Sequence, residues 1–150
     1  MTEPAATYDV VVTRVFDAPI ERVWDAWRDP DQVKRWCGTS LVCMRAPAEY
    51  GGQDIYSTWT YTAVVPNDRI EYIFNFARRD GSKLTPAEAG IEVGVPQDGH
   101  HVVRFRDLGG GRTELTVTEH GYTAEPARDL SQAGLEQCID KLVESLRRQP

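Results

Sequence analysis

A chain of 150 residues with 41% hydrophobic and 27% charged side chains has the length and composition of one globular domain over 1–150, able to bury roughly two-thirds of its unfolded surface. Its net charge of −6, with acidic and basic residues interspersed, argues against nucleic acid or an anionic lipid surface as partner. No apolar run approaches the ~20 residues of a membrane span, and the opening MTEPAATYD lacks a basic-then-apolar leader, so a cytoplasmic location is expected.

Residues 8–16, YDVVVTRVF, are rich in β-branched and aromatic side chains and predict a strand. Pro19 suits the first turn of a helix, where its missing N–H would be unpaired anyway. Ile20, Val23, Trp24 and Trp27 then fall at i, i+3, i+4 and i+7, one stripe of a short amphipathic helix. Asp29-Pro30 repeats the start signal, and Val33, Trp36 and Cys37 continue at helical spacing. Two short helices hinged near Asp29 would turn three of the four tryptophans toward one interior. Large aromatics on such thin stripes need a broad apolar surface to lie against.

That surface follows. Residues 40–46 and 55–65 predict strands, connected through a turn at Gly51-Gly52. In the second, Ser57, Trp59, Tyr61, Ala63 and Val65 alternate with Thr58, Thr60 and Thr62. After a turn at Pro66-Asn67-Asp68, residues 69–78 place Ile70, Tyr72, Phe74 and Phe76 on one face. Residues 101–107 and 112–120 form another pair around Gly109-Gly110-Gly111, with Val103, Phe105, Leu115 and Val117 facing together. Period-2 alternation with hairpin turns describes an antiparallel sheet with one covered face.

The cover is the last segment. Thr123 is the expected cap and Pro126 lies in the first turn of a helix of ~24 residues, about 36 Å long. Ala127, Leu130, Gly134, Cys138, Leu142 and Leu146 mark its stripe, widened by Leu135, Ile139 and Val143. Residues 79–100 read as a 22-residue loop containing Gly and Pro, long enough for a lid. Three cysteines (Cys37, Cys43 and Cys138) show no paired spacing, so reduced thiols are expected and no metal or other cofactor.

The segments RVFDAPIERVWDAWRDPDQVKRWCG and ELTVTEHGYT…LSQAGLEQCIDKLVESL resemble the START-like, or SRPBCC, superfamily. Within it they are most similar to the branch of the C-terminal domain of activators of the 90-kilodalton heat-shock chaperone's ATPase. The resemblance implies an α+β helix-grip fold: a curved antiparallel sheet of about six strands around a long C-terminal helix, with two short helices after the first strand. It also implies a space between sheet and helix for a hydrophobic small molecule, whether lipid, polyketide or aromatic. Relatives usually carry a longer segment with an additional strand before the part matching TSLVCMRAP. Here Trp36-Cys37-Gly38 runs almost straight into Thr39-Ser40, so one edge strand is expected to be lost, leaving monomer or homodimer open.

Alternation then gives a lining of Trp59, Tyr61, Tyr72, Phe74, Phe76, Val103, Phe105, Leu115 and Val117, to which the helix adds Leu130, Gly134 and Cys138. The same pattern suits residues packed on one another as core. Tyrosines on the inner face would need polar partners. His101 shares parity with Val103 and Phe105, and Glu119 with Leu115 and Val117. Turned inward, the pair would form an acid–base or metal-binding cluster with a tyrosine; at strand ends, both would be wet at the rim. His100 and His120 have the opposite parity. No HExxH, nucleophile elbow or phosphate-cradling loop occurs. Hydrophobic-ligand binding is the leading expectation. A polyketide cyclase or aromatase-like enzyme and a co-chaperone with a chaperone partner are the alternatives.

Overall fold

The computed structural model describes residues 7–29, 42–45, 54–78, 80, 82–88 and 94–148. In chain order these form β1 (Tyr8–Phe16), α1 (Ile20–Arg28), β2 (Val42–Arg45), β3 (Asp54–Val65), β4 (Arg69–Ala77), β5 (Lys83–Leu84), β6 (Gly99–Gly109), β7 (Arg112–Tyr122) and α2 (Glu125–Arg148). The strands lie in the order β1-β7-β6-β4-β3-β2, all antiparallel, and β5 adds two residues beside β4. Among the described residues, six main strands and the short β5 thus make the curved sheet, with one long helix closing the α+β fold. The expected second short helix with Val33, Trp36 and Cys37, the Gly51-Gly52 turn and the connection at 37–40 lie outside the described residues.

Helix α1 buries Ile20, Val23, Trp24, Ala26 and Trp27, the stripe its spacing predicts. Pro19 sits one position earlier than expected. It is the extended cap (φ −66°, ψ 154°), and its carbonyl accepts from the Arg22 and Val23 N–H groups. Buried Thr113 on β7 donates its hydroxyl to the Ala18 carbonyl at 2.7 Å, fixing the approach to α1.

Strand β3 departs from simple alternation. A register shift between Tyr61 and Ala63 pairs Val64 with Ile70 and Val65 with Arg69. Both valines end up exposed, so the expected inward run stops short of Val65.

Helix α2 packs mainly on β1, and more lightly on β7 and α1. An ion pair from Arg14 Nη1 to Asp140 Oδ1 (2.7 Å) fastens it to β1, and Arg22 Nη2 donates to the Leu146 carbonyl at 2.6 Å. Ala127, Ile139, Leu142 and Leu146 are buried, but Leu130 is 50% exposed. The stripe passes through half-buried Ser131 and Leu135 instead, one residue along, which turns Leu130 away from the sheet. The helix is also entered later than expected. Arg128 N–H returns to the Ala124 carbonyl, so the cap is Ala124 rather than Thr123.

The region expected as one long loop is interrupted. Lys83 and Leu84 pair with Ala77 and Phe76, and Gly99 already belongs to β6. Val95 packs against Phe76, while the Thr123 N–H donates to the Gly94 carbonyl at 2.9 Å, tying the end of this stretch to the entry of α2. Among the described residues no helix is long and apolar enough to cross a membrane.

Candidate functional site

One row of directly paired residues crosses the inner face of the sheet: Tyr61 on β3, Tyr72 on β4, His101 on β6, Glu119 on β7 and Val10 on β1. The row on one side, Ile70, Val103, Val117 and Val12, is wholly aliphatic and buried. On the other side, Trp59 pairs with Phe74, and Phe74 with buried Gly99. The polar row therefore separates a dry aliphatic floor from an aromatic wall.

The rings of that wall meet one another. Trp27 of α1 stacks on Trp59 at 6.0 Å between centroids, and Trp59 on Tyr72 at 4.6 Å. Tyr72 presents an edge to His101 at 5.1 Å, His101 stacks on Phe74 at 5.1 Å, and Phe74 meets Phe76 edge-on at 5.2 Å. Each such contact contributes about 0.5–1.5 kcal/mol beyond the area it buries. Val103, Phe105, Leu115 and Val117 are shut in the core, with Trp24 edge-on to Phe105 at 5.3 Å. Trp59, Tyr61 and Phe74 are only partly buried, as are Gly134 and Cys138 on α2.

One of the inward tyrosines has found a polar partner. Tyr61 donates its hydroxyl to the Trp27 carbonyl at 2.7 Å, in the last turn of α1 where a helix leaves its carbonyls unpaired. Burial pushes the Tyr61 phenol up to about 12.

His101 and Glu119 are not at a wet rim: they are 5% and 8% exposed. The sheet continues past both, and the Thr123–Gly94 hydrogen bond ties the stretch before β6 to the entry of α2 at that end. His101 Nδ1 lies 3.6 Å from Glu119 Oε2. The other carboxylate oxygen, Oε1, accepts from the Tyr122 hydroxyl at 2.9 Å. Burial raises Glu119 to about 7, opposed by the Tyr122 hydrogen bond. Burial also lowers His101 to about 3, assisted by the charges of His100 and His120. Tyr122 is held far above its ordinary value by burial and by the adjacent carboxylate. Near neutral pH, then, the imidazole is uncharged and the carboxyl is poised at its midpoint.

Alternation alone misses Tyr122. Tyr122 differs in parity from Glu119, yet both face inward, because β7 carries an extra residue where Tyr8 pairs with Tyr122 and Val10 with Glu119. Gly121, at φ 96°, lies in that irregularity. A glycine inside a strand pattern was the available signal. His100 and His120 face the opposite side as expected. They stack on each other at 5.5 Å, and each meets a carboxylate, Glu71 at 2.9 Å and Asp9 at 3.2 Å. Among the described residues, no group of three or more His, Cys, Asp or Glu is placed to hold a metal ion.

The family model described as activator of Hsp90 ATPase homolog 1-like protein matches residues 17–147. The solution structure of a Staphylococcus epidermidis protein is similar at TM-score 0.69 and 22% identity, covering 100% of this chain and 96% of that one. The crystal structure of the AHSA1 protein of Silicibacter pomeroyi gives TM-score 0.69 at 14% identity, over 95% of this chain and 100% of that one. A solution structure from Arthrobacter aurescens gives TM-score 0.66 at 23% identity, over 96% and 87%. No curated protein matches the sequence. At these identities the structural likeness speaks for the fold.

Proposed function

Since the chain belongs to the activator of Hsp90 ATPase homolog 1-like family, we propose that it is a cytoplasmic binding protein for a flat hydrophobic molecule, held on the inner face of the sheet against Trp59, Tyr72 and Phe74. The observation that carries this reading is the row of rings running from Trp59 on β3 through Tyr72 on β4 and His101 on β6 to Phe74, in which Trp59 and Phe74 keep accessible surface. Helix α2 lies mainly on β1, at the other side of the sheet. Half-buried aromatic faces beside a few buried polar groups are the usual make-up of a small-molecule site.

Native mass spectrometry of protein purified from its own host tests the reading. A co-purifying hydrophobic compound, absent from a Trp59→Ala preparation, is expected. Protein that emerges empty and shows no thermal shift with fatty acids, sterols or polyketides would end it.

One observation favours a second reading, an enzyme of polyketide cyclase or aromatase type. A buried carboxyl that titrates near neutral pH beside an uncharged imidazole is suited to moving protons in either direction. A turnover assay of His101→Gln and Glu119→Gln decides it; unchanged rates in both would remove these residues from any mechanism.

A further inference from the structure

We propose that the gap between His101 and Glu119 selects uncharged ligands bearing a hydroxyl group and rejects carboxylates of the same shape. This rests on the binding reading above and names the chemistry of that site.

The geometry is that of a hydrogen bond left incomplete. His101 Nδ1 is buried and has no hydrogen-bond partner among the described residues. Glu119 Oε2 is 3.6 Å away, beyond the usual 2.7–3.2 Å reach of an N–H···O bond. Glu119 Oε1 is already served by Tyr122, which leaves Oε2 as the oxygen that faces the imidazole. A hydroxyl both donates and accepts, so it completes this pair whichever group holds the proton.

The imidazole is itself a member of the ring row, stacked on Phe74 and edge-on to Tyr72. A flat body lying on that row brings its edge to the gap. A carboxylate arriving at the same place would set a second negative charge beside Glu119, away from water. A bare hydrocarbon would leave Nδ1 as it is. The titratable groups facing Glu119 are His101 on β6 and Tyr122 on β7, and neither supplies a positive charge to offset an incoming anion near neutral pH.

The test is titration of the wild-type protein with naphthalene, 2-naphthol and 2-naphthoate, read by tryptophan fluorescence at pH 8, above the Glu119 titration at about 7. One buried hydrogen bond corresponds to roughly tenfold in affinity. 2-Naphthol is therefore expected to bind about tenfold more tightly than naphthalene, and 2-naphthoate more weakly than both. In His101→Phe the preference for the hydroxyl should vanish, and in Glu119→Gln the discrimination against 2-naphthoate should shrink. Equal affinities for naphthol and naphthalene would overturn the inference while leaving the binding reading standing, as would naphthoate binding as tightly as naphthol. A His101→Phe protein that kept the preference would overturn it too. Failure of all three probes to bind would count against the binding reading itself.

Discussion

His101 and Glu119 are direct partners across β6 and β7, both turned inward, with Nδ1 3.6 Å from Oε2. Burial acts on them in opposite directions. The folded protein keeps Glu119 protonated up to about 7, whereas an unfolded chain ionises it near 4.5, so this group subtracts stability as pH rises between those values. The unfolded imidazole takes its proton below about 6.5 and the folded one only near 3, so His101 subtracts stability as pH falls between those values.

Between pH 4.5 and 6.5 the two effects oppose each other, each with a slope of at most about 1.4 kcal/mol per pH unit. In urea denaturation across this range, Glu119→Gln is expected to gain stability with rising pH relative to wild type, and His101→Gln to lose it. Three parallel profiles would show that the pair does not titrate as its burial requires.

Tyr122→Phe removes the donor to Glu119 Oε1. Leaving a buried carboxyl oxygen unserved should cost about 1–3 kcal/mol in chemical denaturation. Because that hydrogen bond holds the carboxyl down, the midpoint of Glu119 should also climb above about 7. NMR titration of the side-chain carboxyl carbon measures it, and an unmoved midpoint would speak against the bond.

Trp59 and Leu130, both expected at the ligand from the sequence, should separate sharply. Trp59→Ala strips out a ring that stacks on Tyr72 and Trp27, and a loss of about 2–4 kcal/mol together with loss of naphthol binding is expected. Leu130 is half-exposed on the outer side of α2, so Leu130→Ala should change stability by no more than about 0.5 kcal/mol and leave binding unaltered. A binding defect in Leu130→Ala would return the helix stripe to the register first expected.

Tyr61→Phe should cost about 1 kcal/mol, since it removes the hydrogen bond to the Trp27 carbonyl while keeping the ring. The last turn of α1 depends on that bond, so its amides should exchange faster with solvent. Unchanged exchange there would mean that other contacts hold the turn.

The sheet and its covering helix were legible because their signals are periodic. Ile70, Tyr72 and Phe76 are buried on one face of β4 as alternation requires, and Ile20, Val23, Trp24 and Trp27 make the stripe of α1. Alternation failed where an irregularity reset it, at Tyr61–Ala63, which left Val65 exposed, and at Gly121, which brought Tyr122 inward. On α2 the stripe advanced by one residue, from Leu130 to Ser131, because a helix with leucines on several faces does not fix its own rotation. Partners on the sheet do. Parity placed His101 and Glu119 on the inner face, but the meeting of Tyr122 with Glu119 across the register shift of β7 is a contact that no local pattern encodes.

Intermolecular NOEs between 2-naphthol and the isotope-labelled protein test the central claim most directly. Cross-peaks from the ligand to the ring protons of Trp59, Tyr72 and Phe74, together with a shifted His101 imidazole, are the expected result. Contacts confined to the outer face of β1, at Val11, Thr13 and Val15, with the aromatic row undisturbed, would contradict it.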